Sequence, residues 1–169
     1  MRNYIFDTTV LSNFASTGRL DLLDTRYSRV AFTTVEVTGE LRRGVKAGYS
    51  YLEHVLQQIE AVDSEGWLRI LVPNSGAEHR LRSEFDQLLD PGEASCLALA
   101  ISRRMTLVTD DLAARRLAKK RKVPLSGTLG ILIALVRHNA FSLKEANAML
   151  ATMIQRRYRS PVDRLDEFI

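Results

Sequence analysis

Tyr4-Ile5-Phe6-Asp7-Thr8-Thr9-Val10-Leu11-Ser12-Asn13 is the stretch whose reading decides the fold. Its first three residues form a short apolar run of strand type. Asp7 follows where a helix should begin, and its carboxylate can accept from the free N–H groups of a first turn. Two later runs end in the same way. Arg29-Val30-Ala31-Phe32-Thr33-Thr34 leads into Glu36 and Glu40, and Met105-Thr106-Leu107-Val108-Thr109 leads into Asp110-Asp111. In an open parallel α/β sheet, ligands bind beyond the carboxyl ends of the strands. The pattern therefore predicts that these acids gather there, around Asp7.

Outward from that stretch, strands alternate with helices. Strands are expected at residues 3–7, 29–33, 67–72, 105–109 and 123–125. Helices are expected at 8–16, at 34–43 with Gly44 as the stop, and at 49–65 with Tyr51, Val55, Ile59 and Val62 near helical spacing. Ser75-Gly76-Ala77-Glu78 has capping-box spacing and opens a helix to about Leu89, while Asp90-Pro91-Gly92-Glu93 opens another. Residues 112–121, 128–136 and 142–157 complete the set, and Pro161 onward reads as a tail. Alternation of this kind predicts a three-layer α/β/α fold with a mainly parallel sheet of about five strands. The expected organisation is a single domain over 1–169, with a helical insertion around 44–89 and a short C-terminal tail from about 158.

The chain has 169 residues, 46% hydrophobic and 26% charged, which suits a globular protein with one substantial core. No apolar run approaches the roughly 20 residues that span a bilayer. The N-terminus enters the first strand directly without a signal-peptide layout, and Cys96 is the single cysteine. Both features predict a cytoplasmic location. A net charge of +4 favours a polyanionic partner.

Carboxylates brought together at strand ends repel one another unless their pKa values rise or a cation fills the site. Hard cations such as Mg²⁺ and Mn²⁺ take oxygen ligands, and they can activate a water and neutralise phosphate charge. Each acid also has a plainer reading. Asp7 and Asp110 suit helix caps, Glu93 suits a capping box, Glu40 suits a pair with Arg42 or Arg43, and Asp111 suits a helix N-terminus. The three histidines, His54, His79 and His138, have no metal-ligand spacing.

Four segments in order carry a family resemblance. They are the opening stretch to Ser12, Val37-Thr38-Gly39-Glu40-Leu41, Pro91-Gly92-Glu93-Ala94, and Leu107-Val108-Thr109-Asp110-Asp111. With Ala114-Arg115 and the Gly127-Thr128-Leu129-Gly130 segment, the chain resembles the PIN domain of VapC-type toxin nucleases over roughly residues 3 to 136. The resemblance implies that Asp7, Glu40, Glu93 and Asp110 are catalytic and hold one or two Mg²⁺ or Mn²⁺ ions. Asp111 would be an extra ligand or an outer-shell group, and Thr9, Ser12 and Thr109 would support the site. Glu36 is the alternative to Glu40.

Arg42, Arg43, Arg115, Arg116 and Lys119 are the candidate RNA contacts. With Arg103, Arg104, Lys120, Arg121 and Lys122 they flank the acidic segments in sequence and suit a phosphate backbone. Arg156-Arg157-Tyr158-Arg159 is a second basic stretch, better suited to a frayed helix end than to base stacking.

The function implied is a metal-dependent endoribonuclease, the toxin of a toxin–antitoxin pair. Its partners would be an RNA substrate and an antitoxin, in a homodimer with no membrane association. Leu20, Leu22, Leu23 and Tyr51 are candidates for an exposed dimer face, with core packing as the competing reading. The alternative function is a PIN-like nucleic-acid or protein binding module without catalysis. A phosphatase of the haloacid dehalogenase type is disfavoured, because Thr9 stands where that chemistry needs a second acid.

Overall fold

Tyr4–Phe6 (β1) is the middle strand of a parallel sheet in the computed structural model, which describes residues 2–59 and 66–169. Ala31–Thr34 (β2) and Arg69–Leu71 (β3) extend the sheet on one side; Thr106–Val108 (β4) and Leu125–Ser126 (β5) extend it on the other. The order is β3-β2-β1-β4-β5. Tyr4 faces Ala31 and Thr106 across the two central pairings, and Leu107 faces Leu125. Ile5, Phe6, Leu107 and Val108 are fully buried, as expected for strands covered on both faces.

Helices cover both faces and make the architecture three-layer α/β/α. They are Thr8–Ser16 (α1), Asp21–Tyr27 (α2), Val35–Lys46 (α3), Leu52–Gln57 (α4), Gly76–Phe85 (α5), Pro91–Ser102 (α6), Leu112–Lys120 (α7), Thr128–Arg137 (α8) and Leu143–Gln155 (α9). Asp7 caps α1, Thr34 caps α3, Ser75 caps α5, Asp111 caps α7 and Ser142 caps α9, each accepting a backbone N–H. Helix α6 is buried along nearly its whole length between α3 and α5 and against β1, β2 and β4. That explains its Ala- and Leu-rich sequence, and burial pushes the Cys96 thiol up, in keeping with a packing role.

Several sequence expectations need correction. Helix α3 does not stop at Gly44 but runs through it to Lys46; the missing Cβ is what lets Leu52 of α4 pack against α3. The helix expected over 49–65 is only Leu52–Gln57, because Ile59 instead forms a bridge with Leu68 beside β3. Residues 60–65 of that span, including Val62, lie outside the described residues. Helix α5 ends at Phe85, short of Leu89, and Leu89 is buried beyond it. The tail is anchored: Leu165 is fully buried, its N–H donates to Asn147 Oδ1 at 2.8 Å, and Asn147 Nδ2 donates to Asp166. Leu20, Leu22 and Leu23 are buried and offer no exposed dimer face. No helix among the described residues is long and apolar enough to cross a membrane.

Candidate active site

Strand order runs outward from β1 in both directions, so the connections reverse between β1 and β4. That reversal opens a crevice at the carboxyl ends of those two strands. Asp7 leaves β1 there and Thr109-Asp110-Asp111 leave β4. The Asp7 N–H donates to Val108 O at 3.0 Å, which joins the two exits.

Asp7 is 1% exposed, yet it carries a carboxylate. Its Oδ1 accepts the Thr8 N–H at 2.7 Å, and its Oδ2 accepts the hydroxyls of Thr109 at 2.9 Å and Thr9 at 3.1 Å. Burial is the largest influence on it. With the nearby Glu40 charge it pushes the carboxyl up to about 6, against the downward pull of those three hydrogen bonds. Thr109 also accepts the Asp111 N–H at 3.1 Å, and Thr9 accepts the Asp110 N–H at 3.3 Å. Thr9 and Thr109 thus tie Asp7 to the β4 exit.

Glu93, on the first turn of α6, is half-buried and its carboxyl is pushed up to about 8. Burial is the main cause, followed by the charges of Asp7 and Asp111. It also reaches back to accept the Asp90 N–H at 3.2 Å, so its capping reading and its place beside the other acids are both realised. Glu40 accepts the Gly92 N–H at 2.8 Å and the Thr8 hydroxyl. A Cβ on Gly92 would lie 2.5 Å from Glu40 Oε2, so only glycine lets the α6 N-terminus approach this closely.

The two acids after β4 part company. Asp111 caps α7, accepting the Ala114 N–H at 2.7 Å, and its charge acts on Glu93. Asp110 turns instead to the α8 N-terminus. It accepts the Thr128 N–H at 2.9 Å, the Thr128 hydroxyl, Asn13 Nδ2 at 3.1 Å and, at 3.5 Å, the Tyr158 hydroxyl. Burial raises the Asp110 carboxyl above its usual range, opposed by Thr128, Arg115 and Asn13.

Other candidates fall elsewhere. Ser12 Oγ lies 3.4 Å from the Tyr51 hydroxyl and makes no hydrogen bond to the acids. Glu36 pairs with Arg82 of α5; burial opposes ionisation, but that pair and a backbone hydrogen bond hold its carboxyl low. Arg115 Nη1 donates to the carbonyls of Thr109 at 2.7 Å and Ser126 at 2.9 Å, so it braces the ends of β4 and β5 rather than reaching into solvent for phosphate. Arg103 pairs with buried Glu78, and Arg121 pairs with Glu84. Lys119 stands on the last turn of α7, away from Asp111 at its start. Arg42, Arg43 and Arg116 are exposed, and they lie on the same helices as Glu40 and the Asp111 cap. His54, His79 and His138 are exposed.

Thr8, Asn13, Thr128 and Tyr158 were missed as site residues. Asn13 sits six residues after Asp7 in the opening stretch, and Thr128 begins a helix after Gly127. For Tyr158 the sequence offers only an aromatic inside a basic run.

A family model described as a PIN domain matches residues 3–169. The chain belongs to the PIN-domain family. PIN domains are typically nucleases and generally use divalent metal ions, and the match extends through α9 and the anchored tail. No curated protein matches the sequence. Among solved structures, the crystal structure of PAE2754 from Pyrobaculum aerophilum is similar in fold, with a TM-score of 0.53 and 20% identity over 83% of this chain and 98% of that one.

The donor chemistry of this PIN-domain crevice fits a hard divalent cation: carboxylates and hydroxyls only, with two acids whose pKa values are raised by burial and by neighbouring charge. Among the described residues, no three His, Cys, Asp or Glu side chains are gathered closely enough to form a ready ligand set. The acids are coupled electrostatically rather than closed into a cage.

Proposed function

We propose that this PIN domain is a metal-dependent endoribonuclease that hydrolyses RNA phosphodiester bonds. The observation that carries the reading is the buried Asp7 carboxyl at the β1–β4 crevice, coupled to Glu40 and Glu93, with Glu93 coupled in turn to Asp111. Asp7, Glu93 and Asp111 are the residues that would hold Mg²⁺ or Mn²⁺, with Glu40 at the rim. When bound, one or two such ions supply an activated water and offset charge on the phosphate.

The protein's own groups do the rest. Thr8, Thr9 and Thr109 fix the Asp7 carboxylate so that little reorganisation accompanies the reaction. Without a cation, burial and the charges of Asp7 and Asp111 favour a proton on Glu93 near neutral pH, and ligation of a cation would displace that proton. Arg42, Arg43 and Arg116 hold the RNA backbone without reading bases. Asp110 braces α8 through Thr128 and is not a ligand in this reading.

The resemblance to VapC-type nucleases supports a cytoplasmic toxin, homodimeric and neutralised by an antitoxin. The alternative is a binding module that uses the same cationic side chains without catalysis.

Cleavage of a mixed RNA pool with Mn²⁺ or Mg²⁺, comparing wild type with Asp7→Asn, tests the proposal. Cation-dependent cleavage that vanishes in the variant supports the nuclease. Equal cleavage by both proteins, or none by either across a broad pool, refutes it in favour of the binding module.

A further inference from the structure

The sheet has a second charged end. Tyr4 is in register with Ala31 and with Thr106, and Leu107 with Leu125. Backbone bonds carry the pairing one residue further back: Tyr4 N–H donates to Val30 O, Thr106 N–H to Asn3 O and Leu107 N–H to Pro124 O. Arg29 lies two residues before β2, Arg2 two before β1, Arg104 two before β4 and Lys122 three before β5, in the segments that enter these strands at the amino end of the sheet. These are four adjacent strands, and all four side chains are exposed. At a strand spacing of about 4.8 Å the four strand entries span about 14 Å. They lie at the amino end of the sheet, about 17 Å from the Asp7 level at roughly 3.3 Å per residue.

Ion pairing among the described residues does not account for this row of cations. Among the described residues none of the four has a salt-bridge partner, whereas Arg103 and Arg121, their immediate neighbours in sequence, are paired with Glu78 and Glu84. Arg104 and Lys122 have φ values of 52° and 55°, left-handed positions beyond the C-cap residues of α6 and α7 that Asn or Gly would occupy with less strain. The flanking residues Met105 and Val123 are buried, and Leu112, Val35, Ile70 and Val72, exposed apolar side chains, stand at other levels of the sheet. Four exposed cations at neighbouring strand entries, with no exposed large apolar side chain beside them in sequence among the described residues, suit a solvated, regularly charged backbone better than a lipid surface.

We infer that Arg29, Arg2, Arg104 and Lys122 form a second RNA-backbone contact at the amino end of the sheet, remote from the acidic crevice. It would anchor flanking RNA while the crevice engages the scissile bond. The choice of RNA as the polyanion rests on the nuclease reading; the row itself does not.

The test is anisotropy of a labelled oligouridylate over a range of KCl in chelator, where cleavage plays no part. The variant is Arg2→Gln/Arg29→Gln/Arg104→Asn/Lys122→Asn, in which Asn tolerates the left-handed backbone. Its slope of log affinity against log salt should be shallower than wild type by about 0.7 per lost phosphate contact, or about 3 for the row. A control that removes the same charge elsewhere, Lys46→Gln/Arg80→Gln/Lys144→Gln/Arg164→Gln, should leave the slope near wild type. Arg2→Lys/Arg29→Lys/Arg104→Lys should keep it too, which separates charge from folding. Equal slopes for wild type and the row variant, or equal losses in row and control variants, would overturn the inference. So would loss by the row variant of phosphatidylserine-vesicle binding with its RNA slope intact. Wild-type cleavage with an unchanged row slope sinks this inference alone; a reduced row slope without cleavage sinks the nuclease reading alone.

Discussion

The carboxyl end and the amino end of one sheet carry opposite charge, and they differ in more than sign. Parallel strands place helix N-termini at the carboxyl end and C-termini at the amino end, and dipoles favour acids at the first and bases at the second. Arg104 and Lys122 follow that rule from exposed positions. The acids exceed it: Asp7 is buried, and both it and Glu93 are held well above ordinary carboxyl values. Dipoles favour the bases at the amino end, which stand in solvent and keep no repulsion that a partner must relieve. The acidic end keeps a repulsion that a cation would relieve.

The largest effect expected is on chemistry. Asp7→Asn should lower cation-dependent RNA cleavage by more than about 100-fold, because the proposed function makes Asp7 a direct ligand of the cation. Asp111→Asn should do the same. Asp110→Asn should retain measurable cleavage but lower stability by about 2 kcal/mol in denaturant unfolding, since an amide cannot accept from all four donors around it. Loss of activity in the Asp110 variant without loss of stability would reverse the roles given to the two acids.

Stability against pH sharpens the contrast. Asp7 is held near 6 against an ordinary value of 3.8, so between those pH values the folded protein keeps a proton that the unfolded chain has released. Its contribution is present below about pH 4 and lost as pH rises through 6, a change of about 3 kcal/mol for this buried group. Glu93 extends the decline toward pH 8. Glu78 behaves oppositely: Arg103 holds its carboxyl down at about 2, so its contribution is present above the ordinary carboxyl range and lost in strong acid. Cation-free melting should therefore fall from pH 5 to 8 in wild type and fall less in Asp7→Asn. An equal decline in the two proteins would contradict the burial of that charge.

The smallest effect is at the tail. Tyr158→Phe removes one long hydrogen bond to Asp110 and should cost about 0.5–1 kcal/mol with little change in cleavage.

Much of this was legible in the sequence. Asp7 and the β4 acids were found because strand-then-acid is a local pattern, and the helix starts at Thr34, Ser75 and Ser142 because caps are local too. That Asp110 bonds to Asn13 and Thr128 while Asp111 caps α7 was not legible, since neighbouring side chains diverge according to partners that are remote in sequence. Arg115 looked like a phosphate contact because its carbonyl partners, Thr109 and Ser126, meet it only once β4 and β5 pair. Lys120, Arg121 and Lys122 stand away from the crevice although they are close to Asp110 in sequence, because α7 carries the chain from the carboxyl end of the sheet to the amino end. Helix α3 ran past Gly44 because packing against Leu52 outweighed glycine's low helix propensity.

Calorimetric titration with Mn²⁺ at pH 7.5, comparing wild type with Asp7→Asn, tests the claim that the buried acids at the carboxyl end form a cation site. Saturable binding by wild type that is lost in the variant, with an apparent enthalpy that changes with the buffer's ionisation heat and so reports proton release, is the expected result. Binding of equal strength in both proteins, or none in wild type, would contradict it.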